Sequence, residues 1–290
     1  MEKAPHNSYI VMASSEDTLR LISGIFVARF SRAKTGFVTA VFQQTEQTFA
    51  GQCPGYQACD TPYHDFAHTC QAAVAVARIL DGHFKSKRTP TLSARDFELG
   101  IAAILLHDIG FLKNTGDSSG TGAKHAFLHV ERSIQIAEES LPRLGVTTDE
   151  FRIVELAIRS TVLNADMGKL GFRDERERML GCVVGTGDLL GAMAAPDYPE
   201  KLAALYEELA EVVDSRSDAS GTDVKEYKSV EDLMGRTRQF HRRYAEPMLN
   251  EQWGQVYREL EYHFADGGNP YLEAIEANLN RIDQLLCNRF

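Results

Sequence analysis

His107 and Asp108 are adjacent and close an apolar run, Ile101 to Leu106, that reads as a buried helix. An imidazole and a carboxylate at the end of such a run are costly unless something binds them. A divalent cation is the natural partner, because both groups are standard ligands. Most of the chain's nine histidines lie around this pair. His64 and His68 are four apart in Tyr63-His-Asp-Phe-Ala-His68, and His125 and His129 repeat that spacing after a glycine-rich stretch. The spacing puts two rings on one helix face. Asp188 sits in an apolar run, Val183-Val-Gly-Thr-Gly-Asp-Leu-Leu, where an acid again needs a partner. Each feature alone has an ordinary reading as a core or surface residue. The two pairs flanking a His-Asp dyad, with a buried acid downstream, make the argument.

The elements that must position these residues are helices. Helical periodicity predicts helices over 16–31, 64–81, 94–109, 125–141, 148–162, 174–194, 199–213, 229–246 and 270–286. Ser93 with Asp96, and Thr147 with Glu150, form capping boxes, while Asn269-Pro270 is a cap followed by a first-turn proline. Gly82 reads as a helix stop and Pro247 as a break or kink. The four glycines of 181–191 suggest close packing or a bend. Residues 35–50 suit helix or strand. The stretches 51–62, 82–92, 113–124 and 215–228 read as loops, and 113–124, rich in glycine, could serve as a lid. Lys113 could contact a phosphate, although an exposed loop lysine is the simpler reading. The fold class is all-α, a compact multi-helix domain with a metal site between helices.

Composition sets the outer bounds. A net charge of −10 argues against a general nucleic-acid or anionic-membrane surface. It does not oppose a small phosphate ligand, because bound cations reverse the local field. The five cysteines are odd in number and lack a CxxC, which fits reduced thiols better than a disulfide framework, with Cys53 and Cys59 as the pair to watch. Residues 1–14 show no signal-peptide pattern and no run approaches membrane-spanning length, so a cytoplasmic protein is expected.

The order His68, His107-Asp108, Asp188, each on its own helix, resembles the HD superfamily of metal-dependent phosphohydrolases. Within it the chain is similar to the class I cyclic-nucleotide phosphodiesterase catalytic domain. Tyr63-His-Asp-Phe-Ala-His68 looks like that family's Tyr-His-Asn-x-x-His. The stretch Phe240 to Pro247 resembles the segment where an aromatic ring clamps a base, and Asn269-Pro-Tyr-Leu onward resembles the last helix. The likeness implies an HD/phosphodiesterase-like domain over 55–290, with 1–54 as a helical extension packed on it. It implies that His68, His107, Asp108 and Asp188 hold a first ion and that Asp108 bridges to a second. His64 would be the general acid, and Phe240 with Gln239 would contact substrate. His125 and His129 look more like ligands of bacterial HD families, in which histidines bind the second ion directly. The cofactor would be one or two divalent ions (Zn, Mg, Mn or Fe), and the reaction hydrolysis of a small phosphodiester or nucleotide by a metal-bound hydroxide.

Three positions depart from the phosphodiesterase pattern. Phe111 stands where a third histidine is expected, His125 where a glutamate is, and Thr237 where the purine-selecting glutamine is, with Gln239 out of phase. The changed base-pocket residues motivate a rival reading, a metal- or ligand-sensing module without turnover; the iron-based O₂ chemistry of some HD relatives motivates another, a di-iron oxygenase of the same superfamily. A homodimer is left open.

Overall fold

The computed structural model describes residues 14–31, 35–216 and 227–288. In chain order its helices are α1 (Ser15–Arg29), α2 (Gly36–Phe49), α3 (Phe66–Ser86), α4 (Ala94–Leu106), α5 (His129–Ser140), α6 (Thr148–Arg159), α7 (Glu175–Met193), α8 (Tyr198–Arg216), α9 (Val230–Phe240), α10 (Leu260–His263) and α11 (Pro270–Cys287). No strand occurs among the described residues; one isolated bridge joins Tyr56 to Asn114. The ambiguous stretch 35–50 is the helix α2, its Val38, Val41, Phe42 and Phe49 buried on one side.

Capping decides many of these boundaries. Ser93 with Asp96 and Thr147 with Glu150 form complete capping boxes. Asn269 accepts from the Leu272 N–H just ahead of Pro270. Asp65 caps α3 by accepting from the His68 N–H at 2.8 Å.

That cap corrects one expectation. His64 lies outside the helix, so His64 and His68 are not one face of a helix. The same holds for His125 and His129: His125 ends a 3-10 turn, Gly122–His125, and α5 begins only at His129. Gly82 is not a stop either. The helix runs on to Ser86, and an added Cβ at Gly82 would run into the Glu259 carbonyl. Nor does Pro247 end the helical path, which continues through π-helical stretches at His241–Ala245 and Met248–Gln252. A π turn is one way to absorb a proline's missing donor and ring clash.

The inner pair is α3 and α7, which lie along each other. Small residues let the two backbones approach: a Cβ on Gly191 would sit 2.6 Å from Ala72 Cα, and one on Gly187 would strike Val76. α4 packs against α3, α6 and α7; α1 covers α3, and α2 covers α4. The aromatic contacts Phe26–Phe97 and Phe42–Phe66 seal α1 and α2 onto this core. No single helix among the described residues is long and apolar enough to cross a membrane. Part of the expected 215–228 loop lies outside the described residues.

Candidate metal centre

His68 comes from the first turn of α3, Asp188 from the middle of α7, and His107 and Asp108 from the end of α4. α4 stops there because the backbone tightens into a 3-10 turn, Ile109–Phe111. α5 clamps this turn from behind. Ser133 Oγ donates to the His107 carbonyl at 2.6 Å and accepts from the Gly110 N–H at 2.9 Å. Arg132 donates to the carbonyls of Gly110 and Leu112. Gly110 must be glycine because a Cβ would collide with the His129 carbonyl.

The four side chains meet at one point. His68 Nε2 lies 3.3 Å from Asp108 Oδ2 and 3.2 Å from Asp188 Oδ1. His107 Nε2 lies 3.1 Å and 3.2 Å from the same two atoms. The donor atoms of His68, His107 and Asp188 all fall within 4.8 Å of one another. Such spacings suit donors gathered around an ion bound at about 2.0–2.2 Å. His107 Nε2 and Asp108 Oδ2 are buried without a hydrogen-bond partner, which a native core avoids unless an ion or water satisfies them. His107 Nδ1 lies 2.8 Å from the Ile104 carbonyl, so it carries the proton and Nε2 presents its lone pair to the cluster. The residues fit a divalent ion.

Electrostatics agree. Burial alone would lower the His68 pKa, yet Asp108 and Asp188 raise it to about 9. His107 is likewise raised against burial by the same two carboxylates. Burial would raise Asp108 and Asp188, but the imidazoles hold both below the usual carboxylate range.

The cluster opens on one side. The side chains of His68, His107 and Asp108 are closed off, whereas Asp188 keeps 22 % of its surface, His64 24 % and His129 25 %. At this mouth His64 Nδ1 contacts Glu208 Oε2 at 2.5 Å, and Oε1 of the same carboxylate accepts from the Tyr63 N–H at 2.7 Å. The buried Glu208, on α8, was not legible in the sequence, where it is one of several acids in an amphipathic helix. Asp65, by contrast, carried a readable signal as a helix cap.

The remaining expected site residues fall out differently. His129 Nε2 is 3.7 Å from Asp108 Oδ1, with Nδ1 turned to the Ala126 carbonyl at 2.6 Å. Burial, partly offset by Asp108, lowers its pKa. His125 closes the 3-10 turn ahead of α5; its Nε2 is buried without a partner, and burial with Arg132 and Lys124 lowers its pKa. Phe240 is half-buried with its ring 5.8 Å from Tyr244. Gln239 is exposed, its amide against Arg243. Thr237 is buried and donates to the Leu233 carbonyl of its own helix.

Lys113 is a correction: it is buried, paired with Asp60 at 2.8 Å and donating to the Gly120 carbonyl. The glycine loop around it is tied down at several points. Glu211 accepts from the Thr121 N–H and hydroxyl, and Asp60 from the Gly122 N–H. Cys53 and Cys59 are free thiols with separate partners, Thr48 and Thr61.

Solved phosphodiesterase structures share this all-helical fold. One is the phosphodiesterase domain of the RhoPDE fusion protein from the choanoflagellate Salpingoeca rosetta. It matches at 16 % identity and a TM-score of 0.62, covering 96 % of this chain and 93 % of that one. Another is LmjPDEB1, solved in complex with IBMX, at 13 % identity and a TM-score of 0.51, covering 97 % of this chain and 91 % of that one. No family model and no curated protein matches the sequence.

Proposed function

We propose that this protein is a metal-dependent phosphohydrolase that cleaves a small phosphodiester. The observation that carries the reading is the convergence of His68, His107, Asp108 and Asp188, with orphaned buried atoms at its centre, beside the His64–Glu208 pair. These four residues would hold a divalent ion, which supplies Lewis acidity toward water and a phosphoryl oxygen. Hydrolysis forms one P–O bond from water and breaks the ester P–O bond. The leaving oxygen takes a proton from His64. When His64 carries both ring protons, Glu208 holds Nδ1–H and Nε2–H is the one given to the leaving oxygen; the proton released by the attacking water restores it.

The substrate class is a phosphodiester or nucleotide small enough to enter the mouth between His64, His129 and Asp188. Purine selection by a glutamine amide finds no support in this chain. Thr237 is buried and bonded to its own helix, and the amide of Gln239 is turned to Arg243. A panel of cyclic nucleotides, linear dinucleotides and bis(p-nitrophenyl) phosphate, each with Mn²⁺, Mg²⁺ or Zn²⁺, tests the reading. Turnover that disappears in Asp108→Ala supports it. Silence across the panel from protein that binds the ion favours a sensing module instead.

A further inference from the structure

We propose that Phe111 makes this a one-ion centre. The inference rests on the metal-site reading above, and it departs from the two-ion arrangement that the resemblance implies. Phe111 is 2 % exposed, and its ring lies between two imidazoles. It stacks on His64 at 4.4 Å between centroids and 11° between planes, and on His129 at 4.5 Å and 18°. Three nearly parallel rings at contact distance leave no space for water between them.

A second ion would have to sit against the outer oxygen of the shared carboxylate, Asp108 Oδ1. The donor found there is His129 Nε2, at 3.7 Å. Among the described residues, His68, His107 and Asp188 form the one group of three ligand side chains that converge. His125 is in no such group among the described residues. An ion held by one or two protein ligands keeps several waters, and those waters need hydrogen-bond partners around them. Phe111 covers one face of His129 with hydrocarbon, so no hydrogen-bond partner for such waters stands on that face.

The column gives the phenyl ring a positive role as well. With Glu208 fixing Nδ1 of His64 at one edge, Phe111 fixes the plane of the ring. Phe111 is therefore a positioning residue for His64, and it excludes a neighbour for the first ion.

Metal stoichiometry tests this without reference to turnover. The full chain, stripped with a chelator and reloaded with excess Mn²⁺, is desalted and measured by elemental analysis and electron paramagnetic resonance. One equivalent per chain with an isolated six-line spectrum is expected. Phe111→His is expected to double the bound Mn²⁺ and to give an exchange-coupled spectrum; Phe111→Gln serves if that variant does not fold. Two equivalents in the unaltered protein overturn the proposal while leaving the metal-site reading intact. One equivalent in both the unaltered and the substituted protein removes the assignment to Phe111. No bound Mn²⁺ at all overturns the metal-site reading itself.

Discussion

Glu208 Oε2 sits 2.5 Å from His64 Nδ1, joining residues 144 positions apart in the chain. The other oxygen of Glu208 accepts from the backbone N–H of Tyr63, and Lys201 of the same helix pairs with Asp65, the cap of α3. α8 thus holds the short segment that carries His64 on both sides of the histidine. Glu208→Gln keeps an acceptor for Tyr63 but presents an amide N–H to Nδ1, which forces the opposite tautomer. Turnover of a responsive phosphodiester should fall about 10–100-fold, as when the partner of a site histidine is changed. Bound metal should stay near normal. An unchanged rate would remove Glu208 from the account.

His64 and Asp188 should separate cleanly by metal content. His64→Asn is expected to lower turnover by about 10²–10⁴-fold, the range for loss of a general acid, with metal retained. Asp188→Ala and His68→Ala should lose both metal and activity. Elemental analysis of each variant checks this. Metal loss in His64→Asn would make His64 a ligand, and retention in Asp188→Ala would discredit its place beside His68 and His107.

Much of the fold was legible because its signals are local. The boxes at Ser93 and Thr147 and the Asn269-Pro270 start are written in neighbouring residues. So is the apolar run into His107. What was not legible depends on chain segments far apart. Gly82 reads as a stop until Glu259 of a distant segment is found against it. Lys113 reads as a solvated loop lysine until Asp60 and Gly120 surround it. The i, i+4 spacing of His64 with His68 suggested one helix face, yet Asp65 between them outcompetes helix continuation by capping the first turn. The metal cluster came through because its members' types are rare in apolar helices. Glu208 did not, because a glutamate on a surface-like helix carries no mark of what lies opposite.

Proton competition gives the metal-free protein a distinctive pH dependence. Asp108 and Asp188, outweighing burial, raise the His68 pKa from 6.5 to about 9. A pKa raised by folding contributes stability that is complete below the unfolded value and lost as pH rises through the folded one. The Tm of chelator-treated protein should therefore fall between about pH 6.5 and pH 9. The ion requires the same imidazole neutral, so the gain in Tm on adding Mn²⁺ should grow over that interval. Differential scanning fluorimetry with and without Mn²⁺ measures both trends. A metal-free Tm that climbs through this window contradicts the assignment.

Glycines of opposite surroundings test the packing of α3 on α7. Gly24 lies on the exposed side of α1 with nothing within 4 Å of an added Cβ. Gly24→Ala should stabilise by about 1 kcal/mol, the helix-propensity difference. Gly187→Ala has the same propensity gain, but its methyl strikes Val76. The net effect should be a loss of about 1–3 kcal/mol from overpacking. Urea denaturation of the two variants gives the comparison; stabilisation by both would mean that the two helices lie further apart than described.

The most direct test of the metal centre is an anomalous difference map from a crystal grown with Mn²⁺. A peak in contact with His68 Nε2, His107 Nε2, Asp108 and Asp188, at about 2.0–2.3 Å from each, is the predicted result. A crystal containing Mn²⁺ but showing no peak among these four side chains, or one with the two imidazoles turned away from it, would contradict the account.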